Sequence, residues 1–176
     1  MSSELSYRFL SLFVENRLGV LAKISSLLAG KAYNIETLTV GTTEDITISR
    51  MTIGLRCSDE TFEQIKKQLN RSVDIIRVLD FTEADVVKQE LLLLKVMECD
   101  KTMMGDIVKT AQKFRARVAG KGSDSILLEV VAQEEENNEL ISAMRKYPKI
   151  EVVRGGVVAI EKCGQGKKKE SVEIDD

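Results

Sequence analysis

Along most of the chain the spacing of apolar residues switches between a period of two and a period of three to four, so strands and amphipathic helices are predicted to alternate. Tyr7 to Val14 is rich in aromatic and aliphatic residues and reads as a strand. From Leu18 to about Lys31 the residues Leu18, Leu21, Ile24, Leu27 and Leu28 fall on one face of a helix. Asn34 to Gly41 and Thr47 to Leu55 are two strands around the polar turn Gly41 to Asp45, a hairpin by composition. Ser58 then caps a second helix, with Asp59 and Glu60 in its first turn and Phe62, Ile65 and Leu69 turned inward. Val73 to Phe81 supplies a fourth strand. The order is βαββαβ, a ferredoxin-like unit of the α+β class.

The same order recurs in the second half. Lys88 to Met97 is a strand; Thr102 to Phe114 is a helix with Met103, Ile107, Val108 and Ala111 inward; Arg117 to Ala119 is a short strand. Gly120-Lys121-Gly122 turns the chain into a strand at Ser125 to Val131, Glu134 to Lys146 is a helix, and Val152 to Ile160 closes the sheet. Two such units of similar length imply duplication. The expected organisation is a first domain over residues 1–81, a linker over 82–87, a second domain over 88–163 and a charged tail over 164–176. That tail, GQGKKKESVEIDD, is too poor in apolar residues to join a core.

Composition narrows the function classes more than it alters the fold. Hydrophobic residues make up 43% of the 176, enough for a core in each half. Lysine and arginine number 26 against 28 acidic residues, a formal net charge of −2, and nothing suggests the basic patch with interleaved aromatics that marks a nucleic-acid partner. No apolar run approaches the roughly 18 residues of a membrane span, and the start MSSELSYRFL has no basic stretch leading into an apolar one, so a cytoplasmic protein is expected, or one that sits in an organelle after a targeting piece is removed. Cys57, Cys99 and Cys163 are odd in number and widely spaced, which signals neither a disulfide framework nor a metal site.

The chain contains no histidine, which removes Ser-His-Asp and Cys-His chemistry and the commonest metal ligand. Lysine or carboxylate catalysis, for example by Lys95 in a ferredoxin-like cleft, stays formally open. Glu134-Glu135-Glu136 reads as the dipole-matched first turn of a helix rather than a metal cluster. Gly164-Gln165-Gly166-Lys167 fails as a phosphate loop, because Glu161 stands where the first glycine belongs and Lys168 replaces the required Ser or Thr. The stretch that remains is Glu15-Asn16-Arg17-Leu18-Gly19-Val20, where a strand enters a helix through a polar loop. Helix N-termini present unpaired N–H groups and partial positive charge, and Gly19 keeps no side chain between backbone and ligand. A small carboxylic or amino acid suits that junction. Asn16 serves equally as a plain helix cap and Gly19 as ordinary turn chemistry.

ENRLGVLAKISSLLAGKAYNIETLTV (Glu15 to Val40) followed by ISRMTI (Ile48 to Ile53) resembles the regulatory small subunit of acetolactate synthase, also called acetohydroxyacid synthase, whose N-terminal half is an ACT domain. Lys23 stands where that family usually has arginine and Ala32 where it usually has glycine. Beyond Phe81 the similarity persists in order and length, with RGGVVAIEK (Arg154 to Lys162) its most familiar element. The resemblance implies a non-catalytic subunit that binds the large catalytic subunit, raises its activity and makes it sensitive to valine or a related branched-chain amino acid. It implies a homodimer in which two N-terminal units join sheet edges, with valine at the seam. The carboxylate would meet N–H groups near Gly19 and Val20, Asn16 of one chain and Asn34 of its neighbour would supply polar contacts, and Leu18 or Ile35 would line the isopropyl pocket. Read without the family, Asn34 is a residue tolerated at a helix-to-strand turn. Thiamine diphosphate, magnesium and FAD belong, on this resemblance, to the catalytic partner and have no site here. A free-standing ACT-type amino-acid sensor acting on another protein is the alternative, distinguished by YNIETLTV and SRMTI, which generic sensors would not share.

Overall fold

Alternation along β1 (Ser6–Glu15) sends Leu10, Leu12 and Val14 to one face, where they are fully buried. Met51, Ile53 and Leu55 do the same from β3 (Ile48–Cys57), which pairs antiparallel with β1. Two helices cover that face: α1 (Val20–Ala29) through Val20, Ile24 and Leu28, and α2 (Asp59–Leu69) through Phe62, Ile65 and Leu69. Full burial of side chains of this size is worth about 1.5–3 kcal/mol each, which is why short helices of ten and eleven residues hold here. With β2 (Ile35–Thr42) and β4 (Ile75–Asp80) the sheet order is β2-β3-β1-β4. These coordinates are a computed structural model that describes residues 5–29 and 34–164. The expected helix end at Lys31, the family difference at Ala32 and the expected tail beyond Gly164 lie outside the described residues.

The expected inward face of α1 requires correction at two positions. Leu18 lies before the helix and is fully exposed, and Leu21 is largely exposed. Gly19 has φ +86, so the chain turns sharply there and the helix begins only at Val20, which rotates the buried stripe to Val20, Ile24 and Leu28. By contrast Ser58 caps α2 as expected, its hydroxyl accepting from the Thr61 N–H at 3.3 Å.

The second unit repeats the plan: β5 (Val86–Met97), α3 (Lys101–Lys113), β6 (Arg117–Lys121), β7 (Ser125–Ala132), α4 (Glu134–Met144) and β8 (Lys149–Glu161), in the sheet order β6-β7-β5-β8. Its core joins Leu92, Leu94 and Val96 of β5 to Ile126, Leu128 and Val130 of β7, under Ile107 and Ala111 of α3 and Leu140 and Met144 of α4. Asp100 caps α3 by accepting from the Met103 N–H at 2.8 Å, so the helix starts one residue earlier than its apolar spacing indicates. Glu134, Glu135 and Glu136 form the first turn of α4. Gly120 and Lys121 are not turn residues: they continue β6 across a register shift, and the turn follows, closed by the Gly122 N–H donating to the Ser125 carbonyl at 2.8 Å.

Two strands outrun the others. Val86 to Gln89 pair only with the end of β8, from Val158 to Glu161, so β5 and β8 extend past their own core as a two-stranded arm. The arm lies on the helix-free face of the first sheet. There Val157 and Ala159 bury against Phe9 and Phe81, with Tyr7 and Leu79 alongside, and the Lys88 ammonium sits 4.1 Å from the centre of the Phe9 ring. Gly54 is what admits this packing, since a Cβ there would lie 2.4 Å from the Thr37 methyl and 2.9 Å from the Tyr7 hydroxyl. Among the described residues no helix is long and apolar enough to cross a membrane.

Candidate functional site

The loop between β1 and α1 is held from three sides. The Asn16 N–H donates to the Thr47 carbonyl at 2.7 Å and its side-chain amide to the Ile46 carbonyl at 2.8 Å, tying the loop to the β2–β3 hairpin. Asn16 therefore does not cap α1; its side chain donates to a carbonyl instead of accepting from a helical N–H. Asp74, buried just before β4, accepts from Arg17 at 3.0 Å and from Lys23 of α1 at 2.9 Å. The hydrogen bond from Lys23 leads in holding the Asp74 carboxyl below the usual range; burial opposes it and Arg17 adds to it. Glu15 pairs with Arg17 from outside.

Within this frame Gly19 is open. A Cβ built there would meet nothing within 4 Å, so the glycine serves its left-handed φ rather than a tight contact within the chain. The Val20 N–H donates to the Arg17 carbonyl at 3.3 Å, and Lys23 begins the helical ladder by donating to Gly19 at 2.9 Å. Among the described residues the N–H groups of Gly19, Leu21 and Ala22 find no protein acceptor, which leaves a cluster of donors at a helix start. Leu18 and Ile46 expose apolar surface beside it.

Asn34 and Ile35 are elsewhere. Asn34 is exposed just before β2, and Ile35 packs against the first core. Ile35 stands opposite Leu55, which stands opposite Arg8, whereas the loop follows Glu15 at the other end of β1. At about 3.4 Å per residue the two groups lie some 24 Å apart along the sheet, with β3 between their strands. A single chain thus brings together Asn16, Leu18, Gly19 and Val20 and leaves Asn34 and Ile35 apart.

A second polar region, which the spacing of residues did not reveal, lies where the arm meets β2. A cleft of about 340 Å³ is lined by Tyr7, Glu36, Glu90, Glu134 and Arg154 among others. The Arg154 guanidinium donates to both carboxylate oxygens of Glu90, at 2.7 and 2.6 Å, and buried Asn137 of α4 donates to the same carboxylate at 2.9 Å. Burial pushes the Glu90 carboxyl up, but the hydrogen bonds from Arg154 and Asn137 outweigh it and hold the group below its ordinary value. Burial, with the nearby charges of Glu134, Glu36 and Glu90, pushes the Tyr7 phenol up to about 12. Glu36 is paired with Arg56 at 3.0 Å. The charges of this cleft largely satisfy one another, as in a structural joint.

Two βαββαβ units in series, each a four-stranded antiparallel sheet with two helices, are the architecture of a two-domain ACT-type protein. Residues 10–77 match the model of the acetohydroxyacid synthase small subunit-like ACT domain, and residues 89–163 match that of the small subunit of acetolactate synthase. Similar chains include the acetolactate synthase small subunits of Mycolicibacterium smegmatis, 36% identical over 94% of this chain and 97% of that protein, and of Bacillus subtilis, 36% identical over 91% and 93%. The crystal structure of the Thermotoga maritima small subunit superposes with a TM-score of 0.81 at 26% identity, covering 91% of this chain and 99% of that one. The chain belongs to the acetolactate synthase small-subunit family. It is a regulatory subunit with an ACT domain, and its family implies a large catalytic subunit as partner.

Proposed function

We propose that this chain activates its catalytic subunit and confers feedback inhibition by valine, bound between the first domains of two copies. The observation that carries the reading is the division of the site: the donor loop lies at one end of the first sheet and Asn34 at the other. A two-fold axis beside β2 turns one copy end for end, which sets Asn34 of the partner subunit near the loop around Gly19. Because β2 is an edge strand, its outer backbone groups are open to such pairing. In that arrangement the valine carboxylate accepts from the free N–H groups at the start of α1, and side-chain oxygens of the two asparagines take the ammonium. Exposed Leu18 supplies apolar surface to the isopropyl group, while the Ile35 side chain, packed on the core, contributes at most its edge.

Valine then acts by linkage. It binds one arrangement of the regulatory dimer better than another, and a tenfold shift in the active population needs only about 1.4 kcal/mol of differential affinity. The condensation itself belongs to the catalytic subunit, which on this reading holds thiamine diphosphate, magnesium and FAD in the cytoplasm, while a chain without histidine supplies control. Reconstitution tests it: the purified chain should form no acetolactate alone, and with its cognate catalytic subunit it should raise activity and make it valine-sensitive. Absence of both effects favours a free-standing sensor. A monomer at micromolar concentration that still binds valine tightly contradicts a shared site.

A further inference from the structure

We propose that β8 of the second domain clamps β2 of the first, and that Thr37, Thr39 and Gly156 are positioning residues through which effector occupancy reaches the second domain; the proposal rests on the valine reading above. At this clamp the Val157 N–H donates to the Thr37 hydroxyl at 3.0 Å, and the Thr39 hydroxyl donates to the Val157 carbonyl at 2.9 Å. Both backbone groups of one β8 residue are thus satisfied by side chains of β2, the strand that begins directly after Asn34. Gly156 makes the approach feasible. It has φ +75, and a Cβ there would lie 2.9 Å from the Thr39 methyl, 3.0 Å from the Thr37 hydroxyl oxygen and 3.3 Å from the Leu38 carbonyl oxygen.

The contact continues into the second domain without slack. Two residues before Gly156, Arg154 holds Glu90 of β5, and Glu90 in turn holds Asn137 of α4, which donates to its carboxylate at 2.9 Å and its backbone carbonyl at 3.3 Å. Hydrogen bonds are directional and weaken as donor and acceptor are pulled out of distance or alignment. The apolar patch of Phe9, Phe81, Val157 and Ala159 beside them is non-directional and tolerates sliding. A small displacement of β2, such as a ligand at the partnered edge would impose, is therefore transmitted to β8 and α4 by the polar clamp. Coupling between distant sites is carried by packed and hydrogen-bonded elements whose equilibrium both sites bias, and the clamp is the element placed to do so between β2 and α4.

The test uses the full chain reconstituted with its catalytic subunit. Thr37→Val with Thr39→Val removes both hydroxyls at nearly constant shape. Activation and valine affinity should stay within about threefold of the unmodified protein, while the ratio of activity without valine to activity at saturating valine falls by about fivefold, the lower range of ordinary allosteric couplings. Gly156→Ala keeps the hydroxyls but forces the strands apart, and also carries a left-handed backbone cost that urea unfolding measures separately. It should reproduce the loss of inhibition, and adding it to the double variant should change the inhibition little further, because both break one contact. Thr39→Val alone serves if the double variant does not fold. Inhibition retained in Thr39→Val and in Gly156→Ala overturns the clamp. Loss of valine affinity of more than about tenfold in parallel with inhibition also overturns it, since the threonines would then belong to the effector site. Failure of the unmodified chain to bind valine refutes the effector reading itself.

Discussion

Gly19 carries two demands at once, a left-handed backbone and, on the proposed function, an open approach for a carboxylate. The first is a fact of the loop, φ +86. It makes Gly19→Asp an impure probe, because any side chain at such a φ costs about 1–2 kcal/mol, somewhat less for Asp and Asn. Gly19→Asn separates the two, since it carries the same backbone cost and similar bulk into space where a Cβ meets nothing. Two charges about 4 Å apart at an effective dielectric near 20 repel by roughly 4 kcal/mol, about a thousandfold in binding. Valine titrations of the reconstituted enzyme should therefore show Asp abolishing inhibition while Asn shifts the midpoint by less than about tenfold. Equal behaviour of the two variants means that conformation, not charge, is what the position supplies. Gly19 was legible because strand, polar loop and helix follow one another in the sequence. Asp74 was not: flanked by Val73 and Ile75 it reads as strand interior, and the cations it holds are 57 and 51 residues away.

Whole elements were legible wherever burial sets the pattern, as in α2, whose inward Phe62, Ile65 and Leu69 are all buried. Leu18 shows the limit. An exposed leucine before a helix keeps the same spacing as one inside it, and only the turn at Gly19 separates them. The strand from Lys88 to Met97 was legible as well; only its start was missed, because Val86 and Val87 fell in the expected linker and pair with the end of β8 alone. What no local pattern showed is that Lys88 and Glu90 find their partners, Phe9 and Arg154, on other elements. The joint built on Glu90 makes a testable demand at this scale. Arg154→Ala leaves a buried carboxylate held by Asn137 alone, and should cost about 3 kcal/mol in urea unfolding. Arg154→Lys should recover only part of it, having no planar fork. The same groups set the acid limit. Glu90 and Asp74 both have folded-state pKa values lowered below the ordinary carboxylate range, so their contributions are complete above that range and vanish as pH falls through the lowered values. With no histidine to titrate, stability should be nearly flat between about pH 5.5 and 8 and decline below about pH 4.5. A steep midpoint near pH 6 would show that other groups control it.

At the scale of the molecule, duplication was readable from two runs of the same element order, but the way the units meet was not. The joining hydrogen bonds link residues 118 and 120 positions apart, through threonines and glycines whose local pattern is that of ordinary strands. The two main cores are separate: one draws on β1, α1, β3 and α2, the other on β5, α3, β7 and α4. They communicate through the smaller patch where Phe9 and Phe81 meet Val157 and Ala159. A chain ending at Asp85, before β5, retains the whole first core and should fold. It should be less stable, by about 3 kcal/mol if the two phenylalanines lose most of their cover. The uncovered face should bind a hydrophobic dye that the full chain does not, a direct measure of what the arm conceals. Since the loop and β2 remain, the fragment should still associate with the catalytic subunit and bind valine, yet inhibit weakly for want of β8. A fragment that shows no cooperative unfolding transition would mean that the Phe9 patch joins the two cores into one folding unit, and that the first domain depends on the second for its structure as well as for its signal.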